Sequence, residues 1–217
     1  LQVLFSHLVT AQEEERKRIA SDLHDDLGQT LAVLKLRIQS IQNQMPPDQT
    51  ELIDTCEETV TYVNQIIDRV RRLSHDLSPA ALDDLGLTDA LRSLANDYTR
   101  HTQTKVSMDI AKIDRLLPAS SEVMIYRVFQ EVFTNIQKHS NAHEVCIRIE
   151  RGETVLRFEI NDRGNGFDMT RVAHPPPKER GLGLSTMDER IRMLGGRLSI
   201  DSHIGEGTSI RFSVPFC

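Results

Sequence analysis

The chain has 217 residues, 26 Lys and Arg against 32 Asp and Glu, and a formal net charge of −6 at pH 7. That length suits one large domain or two modest ones. The acidic balance argues against nucleic acid as a partner, because phosphate backbones favour a basic surface. No Trp is present and hydrophobic residues make up 39%, so the core is expected to be mainly aliphatic.

From Leu1 to about Gln44 the chain contains no Pro and only one Gly, Gly28. Leu23, Leu27, Leu31, Leu34, Ile38, Ile41 and Met45 alternate spacings of four and three, an a/d stripe of coiled-coil type. A helix of ~44 residues would be about 66 Å long, too long for one small globule to bury. Met45-Pro46-Pro47-Asp48 ends it, since Pro removes a backbone donor and restricts the residue before it. A second stripe follows in Leu52, Cys56, Thr59, Val63, Ile66, Val70, Leu73 and Leu77. Two long helices and a short turn make a hairpin whose apolar seam one chain leaves open. Two such hairpins are expected to pair into a dimeric four-helix bundle spanning residues 1–78. A helical spacer explains the stripe equally well, but it does not explain Gly28.

Ser78-Pro79-Ala80-Ala81 marks the expected boundary, with a second domain at 79–217. Asp83 to Arg100 reads as a helix with Leu87, Leu91, Leu94 and Tyr98 on one face, and Lys105 to Ile110 alternates as a strand. Ser120 or Ser121 is expected to cap the next helix, with Glu122 or Glu131 turned outward. Glu144–Ile149 and Thr154–Ile160 form a hairpin around Arg151-Gly152-Glu153. Leu184–Leu194 is helical and is ended by Gly195-Gly196. Arg197–Ser202 and Thr208–Val214 make a second hairpin. The fold class is α+β: a helical hairpin followed by an α/β sandwich, a mixed sheet with helices to one side.

Candidate chemistry begins at Ser21-Asp22-Leu23-His24-Asp25-Asp26-Leu27-Gly28-Gln29. On a 3.6-residue wheel His24 lies about 100° from the Leu23/Leu27 seam and shares a face with Gly28. A glycine inside a helix costs about 1 kcal/mol relative to Ala, and one reason to carry it is room for another domain to approach the imidazole. Asp25 is placed to take the proton that His24 loses on attack, and Gln29 to orient a water. A solvated helix surface is the competing account of these residues.

In the second half, Glu131 and Asn135 are an i, i+4 pair suited to Mg²⁺ and phosphate. Lys138 and His139 end that helix, where cations reach phosphate or simply suit the helix dipole. Asp162 precedes Gly164 and Gly166 in Asn161-Asp162-Arg163-Gly164-Asn165-Gly166. Glycines let the backbone bend closely around a flat ligand, and a buried Asp there would accept from an exocyclic amine such as adenine's. An ordinary Asp-Gly turn is the plain alternative. Gly181-x-Gly183 at a helix start is a fit phosphate cradle. Cys56, Cys146 and Cys217 are odd in number and far apart, which fits a reduced compartment rather than a metal knuckle. No apolar run approaches the ~18–20 residues of a spanning helix, and Leu1-Gln2-Val3-Leu4-Phe5 lacks the marks of a signal peptide.

Together these elements resemble a known family. Glu15-Arg16-x-Arg18-Ile19-Ala20-x-Asp22-Leu23-His24-Asp25-x-x-x-Gln29 resembles the dimerisation and phosphoacceptor region of Nar-type sensor histidine kinases. Leu82-Asp83-x-Leu85-Gly86-Leu87 is similar to that family's connecting segment, and Glu131-x-x-x-Asn135-x-x-Lys138-His139 to its asparagine box. Asn161-Asp162-x-Gly164-x-Gly166-Phe167 and Gly181-Leu182-Gly183-Leu184-x-x-Met187-x-Glu189-Arg190 resemble its two glycine boxes, and Gly205-x-Gly207-Thr208 its closing strand motif. The resemblance spans nearly the whole chain, in the family's order. It implies a Bergerat (GHKL-type) ATPase fold with ATP and Mg²⁺ as cofactors. Asp162 would read adenine, Thr208 would assist through water, Asn135 would hold Mg²⁺, and Gly181 and Gly183 would belong to a lid over the phosphates.

The resemblance further implies a homodimer in which His24 takes the γ-phosphoryl group and passes it to an aspartate of a response regulator, a Nar-type protein with a receiver domain. Gln29 would support removal of that phosphate. A cytoplasmic location is expected, with any sensor or membrane tether outside this fragment. The segment between Phe167 and Gly181 is short for a lid and carries Pro175-Pro176-Pro177. Two other readings fit parts of the sequence. An ATP hydrolase with Glu131 activating water leaves His24-Asp25 unused. A non-catalytic dimeric scaffold leaves Asn135 and Asp162 unexplained.

Overall fold

Two apolar stripes dominate the first 77 residues, and in the computed structural model they wind into a helical hairpin. The structure describes residues 2–77, 82, 85–168 and 182–216. The expected boundary at 78–81, Asp83, the segment 169–180 and Gly181 lie outside the described residues. The chain divides into two compact units, Leu1–Ala80 and Ala81–Cys217.

In the first unit, helix α1 (Gln2–Asp22) runs into a π-helical turn (Leu23–Gly28) and continues as α2 (Gln29–Gln42). The chain reverses at Pro46-Pro47, where Gln49 N–H donates to Pro46 O at 3.0 Å, and returns as α3 (Thr50–Leu77). Ser74 Oγ donates to Ala20 O at 2.9 Å, and Gln42 Nε2 to Glu57 Oε1 at 3.0 Å, so the antiparallel register is pinned near both ends. Ala20, Val63 and Val70 are buried between the arms. The rest of the stripe is not: no residue of α2 is buried, and Leu27, Leu34, Ile41, Leu52 and Leu73 are exposed.

The second unit is a five-stranded sheet with helices against one face. Its strands are β1 (Lys105–Ile110), β2 (Glu144–Arg151), β3 (Val155–Asp162), β4 (Arg197–His203) and β5 (Gly207–Pro215). They lie in the order β1-β2-β3-β5-β4, with β1 parallel to β2 and every other pair antiparallel. Period-two alternation sends Val145, Ile147, Ile149, Leu156, Phe158, Ile160, Ile210, Phe212 and Val214 to the covered face. Phe158 and Phe212, paired across β3 and β5, stack at 4.4 Å, and Phe129 meets both edge-on at 6.2 Å. Phe129 comes from α5 (Ala119–Asn135), whose Phe133 stacks on Tyr98 of α4 (Leu87–His101) at 4.7 Å. Helix α6 (Leu182–Met193) adds Met187 and Ile191 to the same core. Gly195, at φ 69°, follows its end, the left-handed position where a glycine stops a helix cheaply.

Three expectations are corrected. The helix expected from Asp83 begins at Leu87, because Gly86 takes φ 81° and Asp114 Oδ1 accepts from Thr88 N–H at 2.8 Å. That cap comes from 26 residues away. Neither Ser120 nor Ser121 caps α5. The N-cap is Pro118, whose carbonyl accepts from Ser121 and Glu122 N–H at 2.9 and 3.1 Å, with no side-chain cap bond. Glu122 is not turned outward. It is buried, and its Oε1 accepts from Arg115 N–H at 3.1 Å.

Burial raises the Glu122 pKa above its ordinary 4.5, partly opposed by the Arg115 N–H bond and reinforced by Asp114. A carboxyl with a raised folded-state pKa binds its proton more tightly when folded. Its stabilising contribution is full below the unfolded value and is lost as pH rises through the folded one. Glu122→Gln keeps the acceptor and removes the titration. In urea melts, the stability of Glu122→Gln relative to the parent is therefore expected to be greater at pH 7 than at pH 4. An equal difference at both pH values would contradict the assignment.

Candidate functional site

The covered face of the sheet is apolar until its last row. Ile147, Ile160, Ile210 and Ile200 pair across the strands as one row, and two residues further along the row reads Val145, Asp162, Thr208, Ser202. Asp162 is thus a buried carboxylate at the rim of a hydrophobic sheet face. Such a group needs hydrogen-bond donors, since burial of an unpaired charge is costly. Ser140 Oγ donates to Asp162 Oδ1, as does Gly164 N–H at 3.0 Å. Both bonds fall on Oδ1, and among the described residues no donor reaches Oδ2. Thr208 sits beside Asp162 in register, and its Oγ1 lies 3.0 Å from Ser202 Oγ. Ser202 Oγ also donates to Gly207 O at 3.1 Å and accepts from Phe167 N–H at 2.9 Å.

The glycines in this region are required by the close approach of backbone. A Cβ on Gly164 would strike the Oγ and the carbonyl of Ser140. On Gly166, at φ 58°, it would strike the carbonyl of His203. On Gly207, at φ 90°, it would strike that of Asp162. Asn165 N–H donates to Ser140 O at 2.6 Å and its carbonyl accepts from Gly205 N–H at 2.6 Å, which ties the loop after β3 to both neighbours.

Asn135 ends α5 and leads into a second π-helical turn, Ile136–Ser140, closed by Asn141 in the left-handed region at φ 52°. Its Nδ2 is buried with no hydrogen-bond partner among the described residues. Lys138 and His139, in the same turn, are exposed. Glu131 is half-buried, and its Oε1 lies where a Cβ on Gly183, in the first turn of α6, would stand. The structure therefore gathers Asp162, Gly164, Gly166 and Thr208 at one rim of the sheet, joined through Ser140 to the helix that carries Asn135. It places Gly183 against Glu131 of that same helix. An orphaned buried amide, a carboxylate with one free oxygen and a glycine-lined cradle fit a phosphorylated ligand with an exocyclic amine.

In the first unit, the backbone of His24 lies in the π-helical turn, while its side chain falls outside what the structure describes. Hydrogen bonds to the fifth residue make a wider turn than α-helix. Asp25 is exposed and its Oδ2 accepts from Ser21 Oγ at 3.1 Å. A Cβ on Gly28 meets nothing within 4 Å, so packing inside the hairpin does not dictate this glycine. Gly28 and Gln29 line a groove of about 660 Å³ between α2 and α3, with Ala32, Leu36, Ile67 and Arg71. Sequence reading passed over Ser140 and Ser202. The left-handed Asn141 that follows Ser140 and the inward parity of Ser202 on β4 were the available signals.

An unsatisfied buried donor costs about 1–3 kcal/mol, and an apolar group of similar shape removes that cost. Asn135→Leu is therefore expected to leave the melting temperature of the ligand-free protein unchanged or raised. Differential scanning calorimetry without nucleotide checks this. A fall of several degrees would show that the amide is satisfied in the free protein.

Comparison with known proteins gives the site a context. Residues 15–82 match the family described as histidine kinase, and residues 120–217 the family described as histidine kinase-, DNA gyrase B-, and HSP90-like ATPase. The sensor histidine kinase MctS of Rhizobium johnstonii is 32% identical over 215 residues, which cover 99% of this chain and 46% of that protein. The oxygen sensor histidine kinase NreB of Staphylococcus carnosus is 35% identical over 211 residues, 95% of this chain and 58% of that protein. The chain thus spans about half the length of the curated relatives it matches. Among solved structures, the histidine kinase domain of the Erythrobacter litoralis EL346 blue-light activated histidine kinase aligns with TM-score 0.55 and 18% identity, covering 87% of this chain and 94% of that one. Full-length ShkA, solved in complex with AMPPNP, aligns with TM-score 0.51 and 16% identity, over 87% of this chain and 46% of that one. These two likenesses concern the fold. No described helix is long and apolar enough to cross a membrane. The chain thus carries a histidine kinase region at 15–82 followed by a domain of the histidine kinase-, DNA gyrase B-, and HSP90-like ATPase family at 120–217, and across both it is similar to sensor histidine kinases.

Proposed function

We propose that this chain binds ATP and Mg²⁺ in its second unit, phosphorylates itself on His24, and passes the phosphoryl group to an aspartate of a response regulator with a Nar-type receiver domain. The observation that carries the reading is the unpartnered buried amide of Asn135 beside the glycine-lined Asp162 rim, in the same chain as the His24-Asp25 helix. Asp162 Oδ2 accepts from the adenine amine, and Thr208 supports that contact through water. Asn135 would hold Mg²⁺ through its amide oxygen, and its unpartnered Nδ2 would donate to a phosphate oxygen; the cation would arrive on the nucleotide's phosphates as it commonly does. The metal's contribution when bound is neutralisation of phosphate charge. Lys138 and His139 reach the phosphates from the end of the π turn. Gly181 and Gly183 belong to the lid, and Glu131 is the carboxylate at the phosphate end of the site.

In the transfer, a ring nitrogen of His24 forms a bond to the γ-phosphorus as the bond to the β–γ bridging oxygen breaks and ADP departs. The ring proton passes to Asp25. Catalysis of this kind rests on positioning and charge stabilisation. In a separate hydrolysis, Gln29 aligns a water that attacks the regulator's aspartyl phosphate, so that the bond from phosphorus to the carboxylate oxygen breaks and inorganic phosphate leaves. The protein acts as a homodimer, because the exposed stripe of α2 and α3 has the extent of a bundle seam and a second copy supplies the complementary one. The full-length protein is placed in the cytoplasm or tethered to its membrane.

With γ-labelled ATP, Asp25→Asn is expected to keep nucleotide binding and slow labelling by about 10²–10⁴-fold, the range for a positioned base. Gln29→Ala is expected to label at the parent rate but to leave a phosphorylated receiver domain long-lived. Parent-like dephosphorylation by Gln29→Ala would return that residue to the solvated surface. In analytical ultracentrifugation the parent is expected to be a dimer at micromolar concentration, and Leu34→Asp, which puts charge in the seam, a monomer. A monomeric parent would contradict the bundle.

A further inference from the structure

We infer that Ser140 is the positioning residue that fixes the Asp162 carboxylate and thereby sets the preference for adenine. The inference rests on the reading of Asp162 as the base-recognising group. Ser140 is buried, ends the π-helical turn that follows Asn135, and donates its hydroxyl to Asp162 Oδ1. In an α-helix the fifth residue after Asn135 would lie well round the barrel, about 140° away. The wider π turn brings it closer to the starting face, so the π turn delivers Ser140 to the sheet rim while Asn135 stays in the same site.

The surrounding backbone is built around this hydroxyl. Gly164 adds the second donor to Oδ1 at 3.0 Å, and a side chain at Gly164 would occupy the space of Ser140 Oγ. The Ser140 carbonyl holds the loop after β3 through Asn165 N–H at 2.6 Å. With two protein donors on Oδ1, the carboxylate cannot turn freely and Oδ2 is kept as an acceptor. An acceptor there pairs with the adenine amine. It faces the oxygen of a 6-oxopurine lone pair to lone pair. Removing the hydroxyl frees the carboxylate to rotate, and the selection between the two bases weakens.

The test is titration calorimetry of the 217-residue chain with ADP and with inosine diphosphate, which carries an oxygen where ADP carries the amine. The parent is expected to prefer ADP. A parent with no such preference would overturn the adenine reading of Asp162 itself, whatever Ser140 does. Ser140→Ala is expected to weaken ADP by about ten- to a hundred-fold, the value of a hydrogen bond to a charged group. Inosine diphosphate should change little, so the preference collapses. Ser140→Thr, which restores a hydroxyl, is expected to recover the preference. Equal losses for both nucleotides, or an unchanged preference, would overturn the inference. If Ser140→Ala does not fold, the same titrations are made on Ser140→Cys, of similar size and a weak donor. A reduced preference for ADP in that variant supports the inference, and an unchanged one overturns it.

Discussion

A carboxylate buried at the edge of an apolar sheet constrains everything packed around it, and Asp162 is that carboxylate here. Three rows of aliphatic and aromatic side chains hold the sheet against its helices, and the fourth turns polar at Asp162, Thr208 and Ser202. Asp162 and Ser202 are buried, so their polar atoms draw partners from the protein. They come as backbone brought unusually close: Gly164 against Ser140, Gly166 against His203, and Gly207 against Asp162 itself. The π turn after Asn135 then supplies the hydroxyl. The arrangement leaves Asp162 Oδ2 and the Asn135 amide without a protein partner among the described residues, and these are what a ligand would satisfy.

The helical unit is unfinished in the opposite sense. Its polar groups are paired or solvated, but its apolar stripe is not covered, with Leu34 and Ile41 exposed along a helix that buries nothing. Helix propensity alone does not keep such a long hairpin ordered, because most helical stability comes from packing of the apolar face. Within it, the π turn at Leu23–Gly28 and the open space at Gly28 break the regular winding at the one place where the sequence carries His24, Asp25 and Gln29. Interrupted helices of this kind recur at functional sites.

Much of this was legible because it is local. The a/d stripe, the proline break, the alternating strands and the two Gly-centred hairpins each follow from a few neighbouring residues. The order of the motifs carried the family resemblance. What was not legible depends on partners far along the chain. The start of α4 is set by Asp114, and the role of Ser140 by a strand residue 22 positions later. The two π turns are invisible to a wheel built on 3.6 residues. Ser202 was hidden for a simpler reason. A serine in an edge strand looks solvated until the register places it on the inner face beside Thr208.

The central claim is that ATP held at the Asp162 rim phosphorylates His24. The most direct measurement is to incubate the chain with γ-labelled ATP and Mg²⁺, test the label for stability in acid and in base, and locate it by mass spectrometry under neutral conditions. The account predicts an acid-labile, base-stable phosphate on His24. Phosphate on any other residue, or free phosphate released with no labelled protein, would contradict it.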